Sequence, residues 1–337
     1  MRRSSAIAAG LAALVAVAGF AGWQWFEAQL APVSASPQVV VFRVERGATL
    51  PAVARALEAQ GLIRNATAFR LHARRTGRDG SLRAGEYELA PALPADEILE
   101  RLVRGNVRTH AVAIPEGLRM EAIAARLADA GLVDRDAFLA IARDPASAAA
   151  YGVEGETLEG YLFPETYRLA RGLDPDEVVG ALVGQFLRVW AGIEPLARAR
   201  GLSMHDVVTL ASIVEKETAV PDERPLIAAV FLNRLERGMR LETDPTVIYG
   251  IADFDGNLRR RDLADETNPY NTYRIPGLPP GPIASPGAGA LRAVVEPAET
   301  PYLFFVALGD GSGRHAFSVT YREHQANVTA YLRRRRR

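Results

Sequence analysis

The 337-residue chain contains no cysteine. That excludes disulfides, thiolate metal ligands, a cysteine nucleophile and a lipid-modified N-terminal cysteine. Lysine is almost absent: of 40 basic residues, every one but Lys216 is arginine. The five histidines (His72, His110, His205, His315 and His324) are scattered, with no pair at metal-ligand spacing. No HExxH, P-loop, GxGxxG or GxSxG motif occurs, so metal, nucleotide and Ser-His-Asp hydrolase chemistries lose ground and no cofactor is expected. Net charge is lacking too, since 40 acidic residues balance the basic ones. No basic field advertises nucleic acid. What remains is the chemistry of carboxylates.

Long apolar runs are confined to the N-terminus. Arg2 and Arg3 precede residues 6–23, which carry no charge, and Trp25 and Phe26 follow before Glu27. Such a run suits the roughly 20 residues needed to span a bilayer core of about 30 Å, and the arginines keep the N-terminus inside. It exceeds the apolar core of about 7–15 residues in a cleaved signal peptide. An uncleaved anchor is therefore expected in preference to cleavage near Val33-Ser34-Ala35. The reading is a single-pass protein of the cytoplasmic (inner) membrane: residues 1–36 form the tip, anchor and linker, and everything beyond lies outside.

Next comes an internal repeat. "VERGATLPAVARALEAQGLI" (44–63) aligns with "IPEGLRMEAIAARLADAGLV" (114–133), matching Gly47 to Gly117, Leu57 to Leu127 and Gly61 to Gly131. Each copy reads as a glycine turn, an amphipathic helix with 3,4-spaced apolar residues, and a glycine stop. "VVVFRV" (39–44) reads as a strand, and "LRAGEYELA" (82–90) and "ADEILERLVRG" (95–105) complete the first unit as strand and helix. One such unit buries little alone, so the copies are expected to pack together or against neighbours. The pattern resembles LysM-like modules, which bind glycan backbones; on the residues alone a structural repeat is the simpler reading.

Beyond it, the spacing predicts helices over 204–218 and 222–237, and a long one over 174–201 broken near Gly192 and Pro195. The aromatic segment "LEGYLFPETYRL" (158–169) is expected to line a groove, and the Pro/Gly/Asn-rich stretch 243–290 reads as functional loop. "YLFFVAL" and "RHAFSVTY" around "GDGSG" predict a β-hairpin, and a helix ending in five arginines, read as a solvated end, closes the chain. The fold class is α+β: the anchor, a LysM-like module over 37–107, and a catalytic domain over 108–337 with a C-terminal hairpin.

"MHDVVTLASIVEKET" (204–218) predicts a helix with Val207, Leu210, Ala211 and Val214 along one stripe. Lys216 points away from that stripe, while Glu215 and Glu217 fall on its two edges and cannot share a site. A carboxyl on an apolar edge loses hydration when ionised and keeps its proton to higher pH, as a general acid requires. Projection does not choose between the two glutamates.

At this point the chain resembles the endolytic murein transglycosylases of the YceG-like type. The resemblance runs from anchor to hairpin and is carried by "ASIVEKETAVPDERPLIAAVFLNRL" (211–235), "GMRLETDPTVIYG" (238–250), "NPYNTYRIPGLPPGPIASPG" (268–287), "TPYLFFVA" (300–307) and "EGYLFPETY" (159–167). It implies cleavage of the peptidoglycan glycan strand between N-acetylmuramic acid and N-acetylglucosamine, leaving 1,6-anhydro ends and limiting the length of nascent strands. The second glutamate of the EKE triplet, Glu217, is then the catalytic residue. Asp244, Thr246, Tyr249, Asn271 and Tyr273 are placed in the sugar groove, with Asn271 and Tyr273 the preferred contacts. Partners implied are glycan strands and penicillin-binding peptidoglycan synthases. Two alternatives stand beside this: a hydrolytic muramidase using a second carboxylate such as Asp244 or Asp262, and a non-catalytic peptidoglycan-binding scaffold.

Overall fold

In a computed structural model that describes residues 2–80 and 82–335, the chain divides into two units. The first comprises residues 1–110 and 168–173, the second residues 111–167 and 174–337. Side chains of residues 1–9 and 12, which include part of the run expected to cross a membrane, lie outside those described, as do the last two arginines.

The first unit begins with α1 (Arg2–Leu30). Leu14, Val17, Phe20 and Trp25 are exposed on it, whereas Phe26 is buried. Among the described residues no helix is long and apolar enough to cross a membrane. Then follow β1 (Val40–Val44), α2 (Leu50–Ala59), α3 (Ala66–Arg75), β2 (Gly85–Leu89) and α4 (Ala95–Arg104). β1 pairs antiparallel with β2, from Val40 opposite Leu89 to Val44 opposite Gly85. The 3,4-spaced face of α2 (Leu50, Val53, Ala54, Leu57) packs with Phe42, Phe69, Tyr87 and Leu99 into one core. Truncating the fully enclosed Leu57 to alanine costs about 2–5 kcal/mol.

The chain passes between the units along β3 (Thr109–Ala113) and β4 (Thr166–Ala170), which form a second two-stranded sheet. Both repeat copies have the expected local form, with Gly47, Gly61, Gly117 and Gly131 all at positive φ. The two copies belong to different units. One helix, α2, belongs to the first unit and the other, α5 (Met120–Asp129), to the second, so each buries its apolar face in a different core.

The second unit continues with α6 (Arg135–Ala142), α7 (Pro145–Ala150), α8 (Pro175–Ala199), α9 (Met204–Glu217) and α10 (Arg224–Glu236). Short helices α11 (Asp244–Tyr249) and α12 (Arg260–Ala264) interrupt the Pro/Gly-rich stretch, and α13 (Ala288–Val295) ends it. The β5–β6 hairpin (Phe304–Ala307, His315–Ser318) and α14 (Tyr321–Arg335) close the chain.

Three expectations are corrected here. α8 runs unbroken through Pro195. The proline removes one backbone hydrogen bond, but Phe186, Trp190, Ile193 and Ala197 are buried on both sides of it and hold the helix straight on. α9 is not amphipathic: residues 207–214 are all buried, because α8, α10, α11 and α13 pack around it. The aromatic segment 158–163 is core rather than groove wall, with Leu158, Tyr161 and Leu162 fully enclosed. Gly160 makes that approach possible: it adopts φ +86°, and a Cβ there would stand 2.5 Å from Pro282 and 2.9 Å from Val208 on α9.

Candidate active site

α9 starts on a capping box, with Ser203 and Asp206 satisfying each other's backbone N–H groups. It ends on Glu217, since Thr218 is extended. The carboxyl thus stands where the buried helix meets the loop region, at the negative end of the helix dipole, which disfavours its ionised form. Burial raises its pKa to about 7. The Thr243 hydroxyl hydrogen-bonded to it pulls the other way, the negative charge of Asp244 adds to the rise, and Arg234 opposes it.

Thr243 occupies the N-cap position of α11, yet its hydroxyl makes no cap bond. A threonine there ordinarily satisfies the helix's own N–H groups; here the hydroxyl is turned onto Glu217 instead. The turn that aims it is unusual. Glu242, immediately before, has φ +51° and is the single non-glycine residue at positive φ among those described. Such a conformation is unfavourable by about 1–2 kcal/mol and persists where its surroundings fix it. Buried Arg234 does so, donating to the carbonyls of Arg240 (3.2 Å), Leu241 (2.8 Å) and Leu303 (2.7 Å). On the other side, Thr272 accepts from the Thr243 N–H at 3.1 Å and its backbone carbonyl accepts from Glu242 N at 3.2 Å.

Glu215 is committed elsewhere. Its two oxygens accept from Arg224 at 2.8 Å and from the Gly287 N–H at 3.1 Å, and Arg224 also holds Glu116 at 2.8 Å. Burial pushes its pKa up as well, but the Gly287 N–H and Arg224 offset part of that. Glu217 is partly accessible and, by contrast, among the described residues no cation is bound to it. Lys216 is exposed and donates to the Gly117 carbonyl at 3.2 Å.

The loop residues expected in a sugar groove separate into three groups. Asp244 and Tyr273 stand with Glu217: the Tyr273 hydroxyl donates to the exposed Asp244 carboxylate at 2.8 Å. Thr246 and Asn271 are fully buried. The Thr246 hydroxyl bonds the Thr243 carbonyl, and the Asn271 amide donates to the carbonyls of Asp262, Leu263 and Asp265. Their polar groups brace the loops. Tyr249 sits at the far end of α11, tilted against Tyr270 (centroids 4.7 Å) and covered by the Arg119 guanidinium. Asp262 caps the start of α12 on the Arg259 N–H.

Four contributors were not singled out from sequence: Thr243, Arg234, Glu242 and Glu159. Glu159 is buried and accepts from the Met120 N–H at 3.2 Å and the Tyr249 hydroxyl at 3.3 Å, and burial raises its pKa to about 8. Its signal was a glutamate inside an otherwise apolar segment. Among the described residues no group of three or more His, Asp or Glu side chains is placed to hold a metal ion.

The chain is similar to several known proteins. The model of the YceG-like family matches residues 42–330. The endolytic murein transglycosylase of Bacillus subtilis (strain 168) is 30% identical over 323 residues, covering 90% of this chain and 88% of its own. The protein of the same name from Streptococcus pneumoniae (serotype 2, strain D39) is 27% identical, covering 95% of this chain but 63% of its own. The crystal structure of a yceG-like protein from Listeria monocytogenes superposes with a TM-score of 0.59 at 31% identity, covering 86% of this chain and 99% of that one.

Proposed function

The chain belongs to the YceG-like family, and from that premise we propose that it is a peptidoglycan lytic transglycosylase with Glu217 as its single acid/base. The observation that carries the reading is a partly accessible carboxyl whose pKa lies near 7. Such a group is protonated often enough to donate and basic enough to accept at neutral pH. The Glu217 proton passes to the glycosidic oxygen as the bond from C1 of the muramoyl residue breaks, with oxocarbenium character at C1. The C6 hydroxyl of the same sugar attacks C1 and gives its proton to the Glu217 carboxylate. The acid is regenerated, no water is consumed, and a 1,6-anhydro end remains. Thr243 orients the carboxyl, and Asp244 with Tyr273 offers polar contacts beside it.

Asp244 also supports a second reading. A hydrolytic muramidase needs a further carboxylate near the acid to hold water, and Asp244 is close enough to influence Glu217. Mass spectrometry of the products separates the two: anhydro ends mark the lytic reaction, reducing ends the hydrolytic one.

The finer placement follows from the same reading. Residues 6–23 anchor the chain in the cytoplasmic membrane with the catalytic unit outside, supported by the uncharged run and the exposed apolar side chains of α1. Residues 37–107 form a LysM-like module that holds glycan, and the enzyme trims nascent strands beside penicillin-binding synthases. Glycan cleavage by a well-folded Glu217→Gln variant at the wild-type rate overturns the catalytic assignment.

A further inference from the structure

The loop 116–119 leads into α5 and is held in place by two backbone hydrogen bonds, Gly117 N–H to the Ser285 carbonyl (2.9 Å) and Ser285 N–H to the Leu118 carbonyl (2.8 Å). It ends on an arginine at the helix N-cap, a position that favours Ser, Thr, Asp or Asn and that the helix dipole makes unfavourable for a cation. Arg119 makes no cap bond there. The first N–H of α5 is satisfied by Glu159 instead. The guanidinium lies 4.7 Å from the Tyr249 ring centroid, half-buried, and among the described residues it has no hydrogen bond and no ion pair.

Its neighbours are all otherwise engaged. Arg224 holds Glu116 and Glu215, Arg143 holds Glu121 at 2.9 Å, and Arg126 donates to the Ala113 carbonyl. The nearest buried carboxyl, Glu159, is kept largely protonated at neutral pH by its burial and so leaves the Arg119 charge in place. Lys216 is a second cation without a carboxylate partner among the described residues. It meets the same loop through the Gly117 carbonyl at 3.2 Å, which leaves two of an ammonium's three donors free. Two cations without carboxylate partners among the described residues thus meet elements that adjoin the candidate acid. Lys216 precedes Glu217, and Arg119 covers the end of α11, a six-residue helix that begins at Asp244. A helix of that length spans about 9 Å.

We propose that Arg119 and Lys216 form a subsite for the carboxylates of the peptide stems on muramoyl residues, and so make the enzyme prefer stem-bearing over peptide-free strands. The inference rests on the glycan-cleaving reading above. Planar guanidinium on an aromatic face is pre-organised for bidentate carboxylate binding. A stem extends roughly 3.3–3.6 Å per residue, so carboxylates two or three residues along it reach Arg119 from a sugar held at Glu217.

The test compares full-length wild type, Arg119→Ala, Arg119→Lys and Lys216→Met on two substrates: uncrosslinked strands carrying stems, and the same strands stripped of stems by an amidase. The readout is the ratio of kcat/KM on the first to that on the second, at low and high salt. Wild type is expected to favour stem-bearing strands. Arg119→Ala is expected to lower the ratio about tenfold, the size of one lost charge-assisted hydrogen bond, with Arg119→Lys intermediate and Lys216→Met lowering it less. High salt is expected to compress the wild-type ratio toward that of the variants. A wild type without preference, or an Arg119→Ala variant that loses rate equally on both substrates, overturns the subsite. Absence of cleavage by wild type on either substrate instead removes the glycan reading beneath it.

Discussion

Replacing Thr243 by valine removes the one hydrogen bond that the Glu217 carboxyl receives among the described residues while leaving the backbone bonds of residue 243 to Thr272 and Thr246 in place. The hydroxyl lowers the carboxyl's pKa from the level that burial alone would set. A hydrogen bond to a charged group contributes about 1.5–3 kcal/mol, and each 1.36 kcal/mol moves a pKa by about one unit. The alkaline limb of the kcat/KM profile, which follows loss of the Glu217 proton, is therefore expected to move up by about one to two pH units from its wild-type position near 7. The unlocked carboxyl also loses its aim, so kcat at pH 7 is expected to fall about ten- to a hundredfold, in the range of misplaced acid/base groups. Thr243→Ser keeps the hydroxyl and is expected to keep both the limb and most of the rate. The assay is release of soluble fragments from purified glycan strands between pH 5 and 9, with near-UV circular dichroism to check folding. A folded valine variant whose limb stays put, or moves down, refutes the account of how this carboxyl is tuned.

The raised pKa values also set stability against pH. Glu217 and Glu159 bind protons more tightly in the folded chain than a free glutamate of pKa 4.5, with pKa values raised to about 7 and about 8. The stability these two groups contribute is then full below pH 4.5 and is lost as pH rises toward 8. Glu159→Gln is expected to flatten that fall by a few kcal/mol, read as a Tm that changes less between pH 5 and 8 than that of wild type. Arg224→Met strands Glu215 and Glu116, and removing one partner of a buried pair costs about 3–5 kcal/mol; urea denaturation measures it, and Glu215→Gln is expected to cleave glycan with the same products as wild type. Glu242→Gly relieves the positive φ and is expected to keep activity with an unchanged or higher Tm. Glu242→Val, a β-branched residue at that φ, is expected to lose about 1–2 kcal/mol and more activity than its Tm change explains.

Much of this architecture was legible because it is local. Glycine-bounded 3,4 patterns gave α2 and α5, and alternation around "GDGSG" gave the terminal hairpin. What could not be read was what surrounds each element. α9 looked amphipathic because helical projection knows nothing of the four helices packed around it, and α8 looked broken because the packing that carries it past Pro195 is tertiary. The same blindness leaves Glu215 and Glu217 tied in projection: Arg224, on the next helix, and Gly287, 72 residues on, distinguish the pinned carboxyl from the available one. Asn271 and Thr246 were legible as polar residues in a functional loop, but not the direction of their side chains, which turn inward to backbone carbonyls. Thr243 was hidden by its ordinary place before Asp-Pro, where a threonine reads as a helix cap. The lone lysine, with no role in projection, meets the loop that ends on Arg119.

The most direct test of the central claim is the product spectrum of purified glycan strands treated with wild type and with Glu217→Gln. The account predicts fragments ending in 1,6-anhydro-muramoyl residues from wild type, and none from a variant whose circular dichroism and Tm show it folded. Cleavage by the folded variant at the wild-type rate, or wild-type fragments that carry only reducing ends, contradicts it.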